Sequence, residues 1–173
     1  MSKLKLYLFI GAPGAGKTTT AQIIAEATGA VHLWADAERH KLFKHPSHSK
    51  EESDLLYTKL NVETEQLLKA GKSVVFDTNF NFYADRQMLA AIAERYKAQT
   101  IIVWMVTPMA IARARSVGVH QNRNGYTMRM SDAQFDAIIH KLEPPHEDEV
   151  TVKIDGSEVD RQQVIKLLDL KST

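Results

Sequence analysis

The stretch Gly11–Thr18 constrains the fold of this 173-residue chain more than any other part of the sequence. It has the spacing G-x-x-x-x-G-K-T, and it lies between an apolar run, Leu4–Ile10, and a helix-favouring segment over residues 21–27. Glycines let the backbone curl and point successive N–H groups at one anion, and a following helix adds its positive end. A strand, a glycine-rich turn and a helix in this order predict a nucleotide-phosphate loop.

This loop assigns expected roles to individual residues. We expect the ammonium of Lys17 to bind the β- and γ-phosphates and the hydroxyl of Thr18 to take a coordination position on Mg²⁺. The predicted nucleotide-binding residues of the loop are Gly11, Ala12, Pro13, Gly14, Ala15, Gly16, Lys17, Thr18 and Thr19.

Composition is that of an ordinary globular protein, with 44% hydrophobic and 25% charged residues. The net charge of +1 argues against a uniformly basic nucleic-acid-binding surface. Because the sequence has no cysteine, disulfides and thiolate catalysis are excluded, which fits a reducing cytoplasm. The apolar run Leu4–Ile10 is too short to span a membrane, and the length predicts one domain over residues 1–173.

Strand-like and helix-like patterns alternate along the whole chain, which predicts an α/β fold. A long helix is expected over Glu51–Ala70 and another over Tyr83–Lys97. Their predicted core residues are Leu55, Leu56, Leu60, Leu67 and Leu68 in the first, and Met88, Leu89, Ile92 and Ala93 in the second. The predicted strands are Leu4–Ile10, Val31–Trp34, Ser73–Phe76, Thr100–Val106 and Val150–Ile154.

Asp36 follows the second predicted strand, and Arg39 lies three residues further on. In a parallel sheet the carboxyl ends of the strands face the ligand crevice, so both side chains are expected near the phosphate loop. A carboxylate there can take the proton of an alcohol acceptor. The alternative is that Asp36 is a helix N-cap.

The run from Arg39 to Lys50 contains four Lys or Arg residues, three histidines and no acid. Such a run can hold an anionic acceptor, or it can be a solvated basic face. Its histidines lack the regular spacing of a metal-ligand set.

Asp77, Thr78 and Asn79 follow the third predicted strand. Asp77 can bind the Mg²⁺ water shell or the acceptor, and its neighbours add hydrogen-bonding groups; the alternative is an Asx turn. Arg86 lies in the first turn of the next helix, where the helix dipole disfavours a cation. We therefore expect a partner for Arg86, either Asp77 or an anionic ligand.

Residues 113–131 are predicted to form a lid. Pro108 begins a short helix with Arg113 and Arg115, and the polar segment after it contains Arg123. Guanidinium groups that close over a transferring phosphoryl group stabilise its charge, although an ordinary surface loop is the alternative. Beyond the lid, Ser131 and Gln134 predict a capping box, and Gly156 with Ser157 is expected near the nucleotide base.

Taken together, these motifs resemble the small P-loop kinases of AAA type that are grouped with the kinase domain of bacteriophage polynucleotide kinase and with zeta-toxin-like ATP-binding proteins. The resemblance rests on the phosphate loop, Asp36 with Arg39, the Asp77-Thr78-Asn79 triplet with Arg86, and Arg123. It implies a three-layer α/β/α fold with a parallel five-stranded sheet and a helical lid.

The resemblance also implies transfer of the γ-phosphoryl group of ATP to a hydroxyl, with ATP and Mg²⁺ as cofactors. Asp36 would be the general base and Arg39 would hold the acceptor. Lys17 and Arg123 would be catalytic, Arg113 would contact the nucleotide, and Thr18 with Asp77 would hold the metal. The substrate-binding set would be Asp36, Arg39, Asp77, Thr78, Asn79 and Arg86.

The acceptor stays open between a nucleoside, a sugar, another small alcohol and a polynucleotide 5′-hydroxyl. Trp34 and Ala35 precede Asp36 where the polynucleotide enzymes have polar or basic residues. A second hypothesis is a nucleotide-dependent switch or regulatory module without an acceptor. The sequence does not indicate an oligomeric state.

Overall fold

In the computed structural model of the protein, residues 4–121 and 127–170 are described. The strands are β1 Lys5–Ile10, β2 Val31–Trp34, β3 Val74–Asp77, β4 Gln99–Met105, β5 Gly118–Gln121, β6 Thr127–Met130 and β7 Thr151–Ile154. The helices are α1 Lys17–Thr28, α2 Ala35–Leu42, α3 Lys50–Lys69, α4 Tyr83–Arg95, α5 Met109–Ser116, α6 Asp132–His140 and α7 Arg161–Leu167. Within these two ranges no helix combines the length and the apolar character needed to cross a membrane.

Five parallel strands form the central sheet in the order β2-β3-β1-β4-β7. In the middle of the sheet, Leu8 of β1 lies opposite Phe76 of β3 on one side and Ile102 of β4 on the other. This arrangement confirms the predicted α/β fold and its five-stranded sheet. All five carboxyl ends meet at one edge, where the phosphate loop follows β1.

Successive side chains of β1 enter two separate hydrophobic clusters, one on each face of the sheet. Tyr7 and Phe9 pack in a cluster that includes Ile24 of α1 and Val164 of α7. Leu6, Leu8 and Ile10 pack on the opposite face in a cluster that includes residues of α3 and α4. The two-residue period of a strand thus produces three layers from one buried sheet.

The predicted core faces of α3 and α4 are confirmed for all but one residue on each helix. On α3 the buried residues Leu56, Leu60 and Leu68 follow one stripe, whereas Leu55 is 65% exposed. On α4, Leu89 is buried while Met88 is 46% exposed. Neighbouring residues lie about 100° apart around a helix, so Leu55 and Met88 lie outside the cluster that Leu56 and Leu89 enter.

The segment expected as a helical lid contains strands. β5 and β6 pair as an antiparallel ribbon, with Val119 opposite Arg129. Helices α5 and α6 flank this ribbon, and the predicted capping box of Ser131 and Gln134 begins α6. The segment between α5 and α6 thus contains a two-stranded ribbon, Gly118–Gln121 with Thr127–Met130, where the prediction was a helical lid.

Arg86 is fully buried and is paired with Glu149, whereas the sequence suggested Asp77 or an anionic ligand. Its Nε and Nη2 donate to the two oxygens of Glu149 at 2.7 and 2.9 Å. It also donates to the main-chain oxygens of Phe80, Glu143 and Pro144. Arg86 thus joins the loop after β3 to the segment before β7.

We expect Glu149→Ala to lower the free energy of unfolding by about 3–5 kcal/mol, because it leaves a buried guanidinium without its counter-charge. Urea unfolding of the variant measures this loss. Glu147→Ala, at an exposed position two residues earlier, is the matched control and should change stability by less than about 0.5 kcal/mol. Equal effects of the two variants would show that the buried pair is unimportant.

Candidate active site

A cavity of about 790 Å³ opens at the carboxyl edge of the sheet. Residues 13–19 of the phosphate loop and α1 form one wall, and Trp34, Asp36 and Asn79 contribute a second side. The remaining lining residues are Arg115, Ser116, Met130, Ile138, Gly156, Ser157, Glu158 and Val159. The cavity therefore brings the predicted phosphate loop and the predicted general base into one space.

The phosphate loop has the backbone geometry of an anion site. Gly14 and Gly16 have φ angles of 76° and 94°, in the left-handed region that side chains disfavour. Gly16 is the N-cap of α1, no side chain caps this helix, and its first turn has no acidic residue. The positive end of α1 is thus left for a ligand at the cavity wall.

Residues that follow the carboxyl ends of three other strands hold this loop. The side-chain oxygen of Asn79, after β3, accepts from the N–H of Gly11 at 3.2 Å. The hydroxyl of Thr107, after β4, donates to the carbonyl of Ala15 at 2.7 Å and accepts from the N–H of Gly156, after β7, at 3.0 Å. A Cβ atom at Gly156 would lie 1.9 Å from the Ala15 carbonyl oxygen, so only glycine fits there.

Lys17 is folded against the loop it belongs to. Its ammonium donates to the carbonyls of Gly11 and Ala12 at 2.8 and 2.7 Å. Burial lowers the pKa of Lys17 to about 8, although the nearby charge of Asp77 acts in the opposite direction. Phosphate oxygens in the loop would supply the negative charge that this ammonium lacks.

Asp77 lies beneath the loop and is only 3% exposed. One carboxylate oxygen accepts from the hydroxyl of Thr18 at 3.3 Å, and the other lies 3.0 Å from Nε2 of His32. A hydroxyl and a carboxylate side by side at a phosphate loop fit the few protein oxygens that Mg²⁺ takes. The geometry therefore suits the predicted metal pair.

Asp36 is the second residue of α2 and lines the cavity with its side chain 26% exposed. The N-cap of α2 is Trp34, so the alternative interpretation of Asp36 as an N-cap is wrong. Nε2 of His40, one turn later, lies 3.9 Å from the Asp36 carboxylate. A carboxylate at this wall can reach a hydroxyl that enters the cavity.

Arg39 does not line the cavity, in contrast to the expectation that it holds the acceptor. Its guanidinium donates to Glu52 of α3 at 2.5 Å and to Ser53 at 3.3 Å, and both side chains of the Arg39–Glu52 pair are 7% exposed. The pair ties α2 to α3. Arg39 thereby supports the helix that carries Asp36.

Glu52 organises the loop between these helices. It accepts from the N–H and hydroxyl of Ser47 at 2.7 and 2.9 Å and from the N–H of His48 at 3.2 Å. Burial alone would raise the pKa of Glu52, but the hydrogen bonds from Ser47, Arg39 and His48 outweigh it and lower the pKa to about 2. The ionised carboxylate is therefore part of the fold.

Thr78 and Arg113 also lie away from the cavity wall. The hydroxyl of Thr78 is 2.9 Å from that of Tyr57 on α3. Arg113, predicted to contact the nucleotide, pairs with Asp132 at 2.7 Å and with Asp136, and its guanidinium lies over the ring of Phe135. These contacts hold Arg113 in the interface between α5 and α6.

Arg115 is the arginine of α5 that faces the phosphate loop. It donates to the carbonyls of Gly14 at 3.4 Å, Gly156 at 2.7 Å and Ser157. Gly156 and Ser157, which were expected near the nucleotide base, line the cavity, and Gly156 also packs on the loop. Arg123 lies outside the described residues.

Sequence reasoning missed Thr107 and Glu52. Thr107 could have been found, because it lies two residues beyond β4 as Asp36 lies two residues beyond β2. The S-x-x-E spacing of Ser49 and Glu52 marks the start of α3, where Ser49 accepts from the N–H of Glu52 at 3.2 Å. It gives no sign of the partner Arg39, which lies on another helix 13 residues earlier.

Comparison with known proteins gives one family and a common fold. A model of the AAA domain matches residues 6–145. A suspected kinase from Chloroflexus aurantiacus is similar in structure, with a TM-score of 0.73, 17% identity and coverage of 97% of this chain and 98% of that one. No curated protein matches in sequence.

Two further solved structures show the same fold. A sugar kinase from Janibacter has a TM-score of 0.68 and 17% identity, covering 98% of this chain and 96% of that one. The Mycobacterium tuberculosis APS kinase, in complex with AMPPNP and APS, has a TM-score of 0.65 and 18% identity, covering 98% and 99%.

We expect Glu52→Gln to lower the urea midpoint at neutral pH, because the neutral amide cannot balance the buried guanidinium of Arg39. The folded-state pKa of Glu52 lies below its ordinary value, so the contribution is complete above pH 4.5 and is lost as pH falls toward about 2. The difference in urea midpoint between the unaltered protein and Glu52→Gln should therefore decrease as the pH falls from 4.5 toward about 2. Glu51→Gln, at the exposed neighbour, is the control; a gap that does not change with pH would contradict this assignment.

Proposed function

The chain belongs to the AAA-domain family, and we propose that within this fold it is a kinase that transfers the γ-phosphoryl group of ATP to a hydroxyl acceptor. The observation that carries the proposal is that one cavity has the phosphate loop on one wall and Asp36 on another. A phosphate-binding wall alone would suit any nucleotide-binding module. A carboxylate that faces the same space supplies what an alcohol acceptor needs.

On the nucleotide side, the loop N–H groups and the ammonium of Lys17 bind the phosphates. Thr18 and Asp77 would hold Mg²⁺, which when bound neutralises charge on the phosphoryl group being transferred. Within residues 4–121 and 127–170 no three His, Asp or Glu side chains gather into a metal site. The cation would therefore depend on Thr18, Asp77, the phosphates and water for its ligands.

On the acceptor side, Asp36 accepts the hydroxyl proton as the acceptor oxygen attacks the γ-phosphorus. The new O–P bond forms while the bond to the β,γ-bridging oxygen breaks, and ADP leaves with that electron pair. The protein forms no covalent bond to the phosphoryl group in this step. Positioning of the two substrates and neutralisation of the phosphate charge therefore supply most of the rate acceleration. Asn79 contributes by fixing the first residue of the phosphate loop.

Residues 113–131 form the lid in this proposal. Arg115 already contacts the phosphate loop, so a small movement of α5 would bring its guanidinium to the phosphates. Arg123 is proposed as the lid arginine that stabilises the transition state. Closure over the cavity would also exclude water, which competes with the acceptor hydroxyl.

We expect Asp36→Asn to lower kcat for phosphoryl transfer by about 10²- to 10⁴-fold without loss of ATP affinity, because it removes the proton acceptor and leaves the phosphate loop intact. Coupled measurement of ADP release and titration of ATP binding test the two parts. Asp85→Asn is the control, because Asp85 is exposed and, like Asp36, lies in the first turn of its helix. Unchanged turnover in Asp36→Asn would rule out a general base at this position.

We expect ATP affinity to fall as pH rises above about 8. Phosphate stabilises the charged form of Lys17, so the pKa of Lys17 is higher in the complex and binding takes up a proton above that pH. Affinity should be highest below about pH 8 and decline by up to about tenfold per pH unit above it.

Calorimetric titration with Mg²⁺ and ATP from about pH 7 to about pH 10 follows this decline. Lys17→Arg is the matched variant, since a guanidinium stays charged throughout, and its profile should be flat. A flat profile for the unaltered protein would contradict the lowered pKa of Lys17.

A further inference from the structure

We propose that the acceptor is an uncharged, hydroxyl-bearing ring compound whose ring face packs on Trp34. This inference rests on the proposed kinase function and adds the chemical class of its second substrate.

Trp34 lies close in the chain to Asp36, the proposed general base. It is the last residue of β2 and the N-cap of α2, two residues before Asp36, and both residues line the cavity. The side chain is half-buried, so part of the indole is open to a ligand. A large aromatic surface at a cavity wall provides contact area for a planar or apolar ring face.

The indole lies against His32, which links it to the proposed metal pair. The ring of His32 lies parallel to it, with an interplanar angle of 4° and centroids 6.0 Å apart. Nε2 of His32 is in turn 3.0 Å from the buried carboxylate of Asp77, which also accepts from Thr18. Trp34 is therefore a fixed platform, which reduces the entropy lost when a ring packs on it.

The charges near this platform do not suit an anionic acceptor. Arg39, the residue expected to bind such a group, is buried against Glu52. In the basic run, Lys41 pairs with Glu38 at 2.5 Å and Lys50 with Asp54 at 2.6 Å. These contacts neutralise much of the run that the sequence offered as an anion site.

The charged side chains that line the cavity also disfavour an anionic acceptor at the wall that carries Trp34. Among the described residues that line it, the lysine and arginine side chains are Lys17 and Arg115, and both contact the phosphate loop. The wall that carries Trp34 presents the carboxylate of Asp36, which repels an anion. Nε2 of His40 lies 3.9 Å from that carboxylate, and the two groups together suit a hydroxyl.

A sugar and a nucleoside both satisfy this chemistry, because each carries hydroxyl groups and a ring with a face that packs on indole. ADP release with Mg²⁺ and ATP would be measured with free pentoses and hexoses in one arm and nucleosides in a second. Two further arms contain open-chain polyols, and anionic counterparts such as sugar phosphates and nucleotides. The expected result is stimulation in only one of the first two arms, and that arm shows whether the acceptor is a sugar or a nucleoside.

The platform is then tested with the acceptor that stimulates turnover. We expect Trp34→Ala to raise the acceptor KM by about tenfold or more and to leave the KM for ATP unchanged, because stacking on an aromatic ring is lost. Trp34→Phe should retain most of the affinity. Trp104→Phe changes the second of the two tryptophans, on β4, and is the matched control with an unchanged acceptor KM.

Trp104→Phe also leaves Trp34 as the single indole, so quenching of its fluorescence by the acceptor reports contact even where Trp34→Ala is unstable. Stimulation by anionic or open-chain acceptors alone, or an unchanged acceptor KM in Trp34→Ala, would overturn this inference and leave the kinase proposal intact. Absence of stimulation in every arm while ATP still binds would instead overturn the proposed function, and the inference with it.

Discussion

The shape of the phosphate loop depends on hydrogen bonds from the ends of the strands that flank β1. Asn79 holds the start of the loop, while Thr107 links its middle to Gly156. A glycine-rich loop is flexible by itself, so these contacts determine where its N–H groups point. The parallel sheet is thus what turns a permissive stretch of backbone into a preformed anion site.

Two buried ion pairs hold the elements around the cavity, and their residues are therefore structural. Arg39 with Glu52 fixes α2, and Arg86 with Glu149 fixes the loop after β3 that contains Asn79. Both arginines were candidates for substrate binding, and both are committed to the fold. Asp36 faces the cavity, whereas Asp77 lies buried beneath the phosphate loop, where it contacts Thr18 and His32. Because both arginines are paired within the fold and the carboxylate of Asp36 faces the cavity, the proposed acceptor is uncharged.

Features set by neighbouring residues were predictable, and those set by distant partners were not. The spacing from Gly11 to Lys17 and the strand-helix alternation predicted the sheet and the loop, and the capping box at Ser131 follows from a local hydrogen bond. Arg86 finds its partner 63 residues later, which no pattern in the sequence encodes. Leu55 shows a second limit, since adjacent leucines do not reveal which of them faces the sheet.

The central claim is that the γ-phosphoryl group of ATP passes to an alcohol and not to water. Phosphorus NMR of the protein with Mg²⁺, ATP and a mixture of sugars and nucleosides follows where that group goes. We expect a phosphate-ester resonance that grows with ADP and is absent for Lys17→Ala. Release of inorganic phosphate alone, at the same rate with and without the mixture, would contradict it and favour a nucleotide-dependent switch.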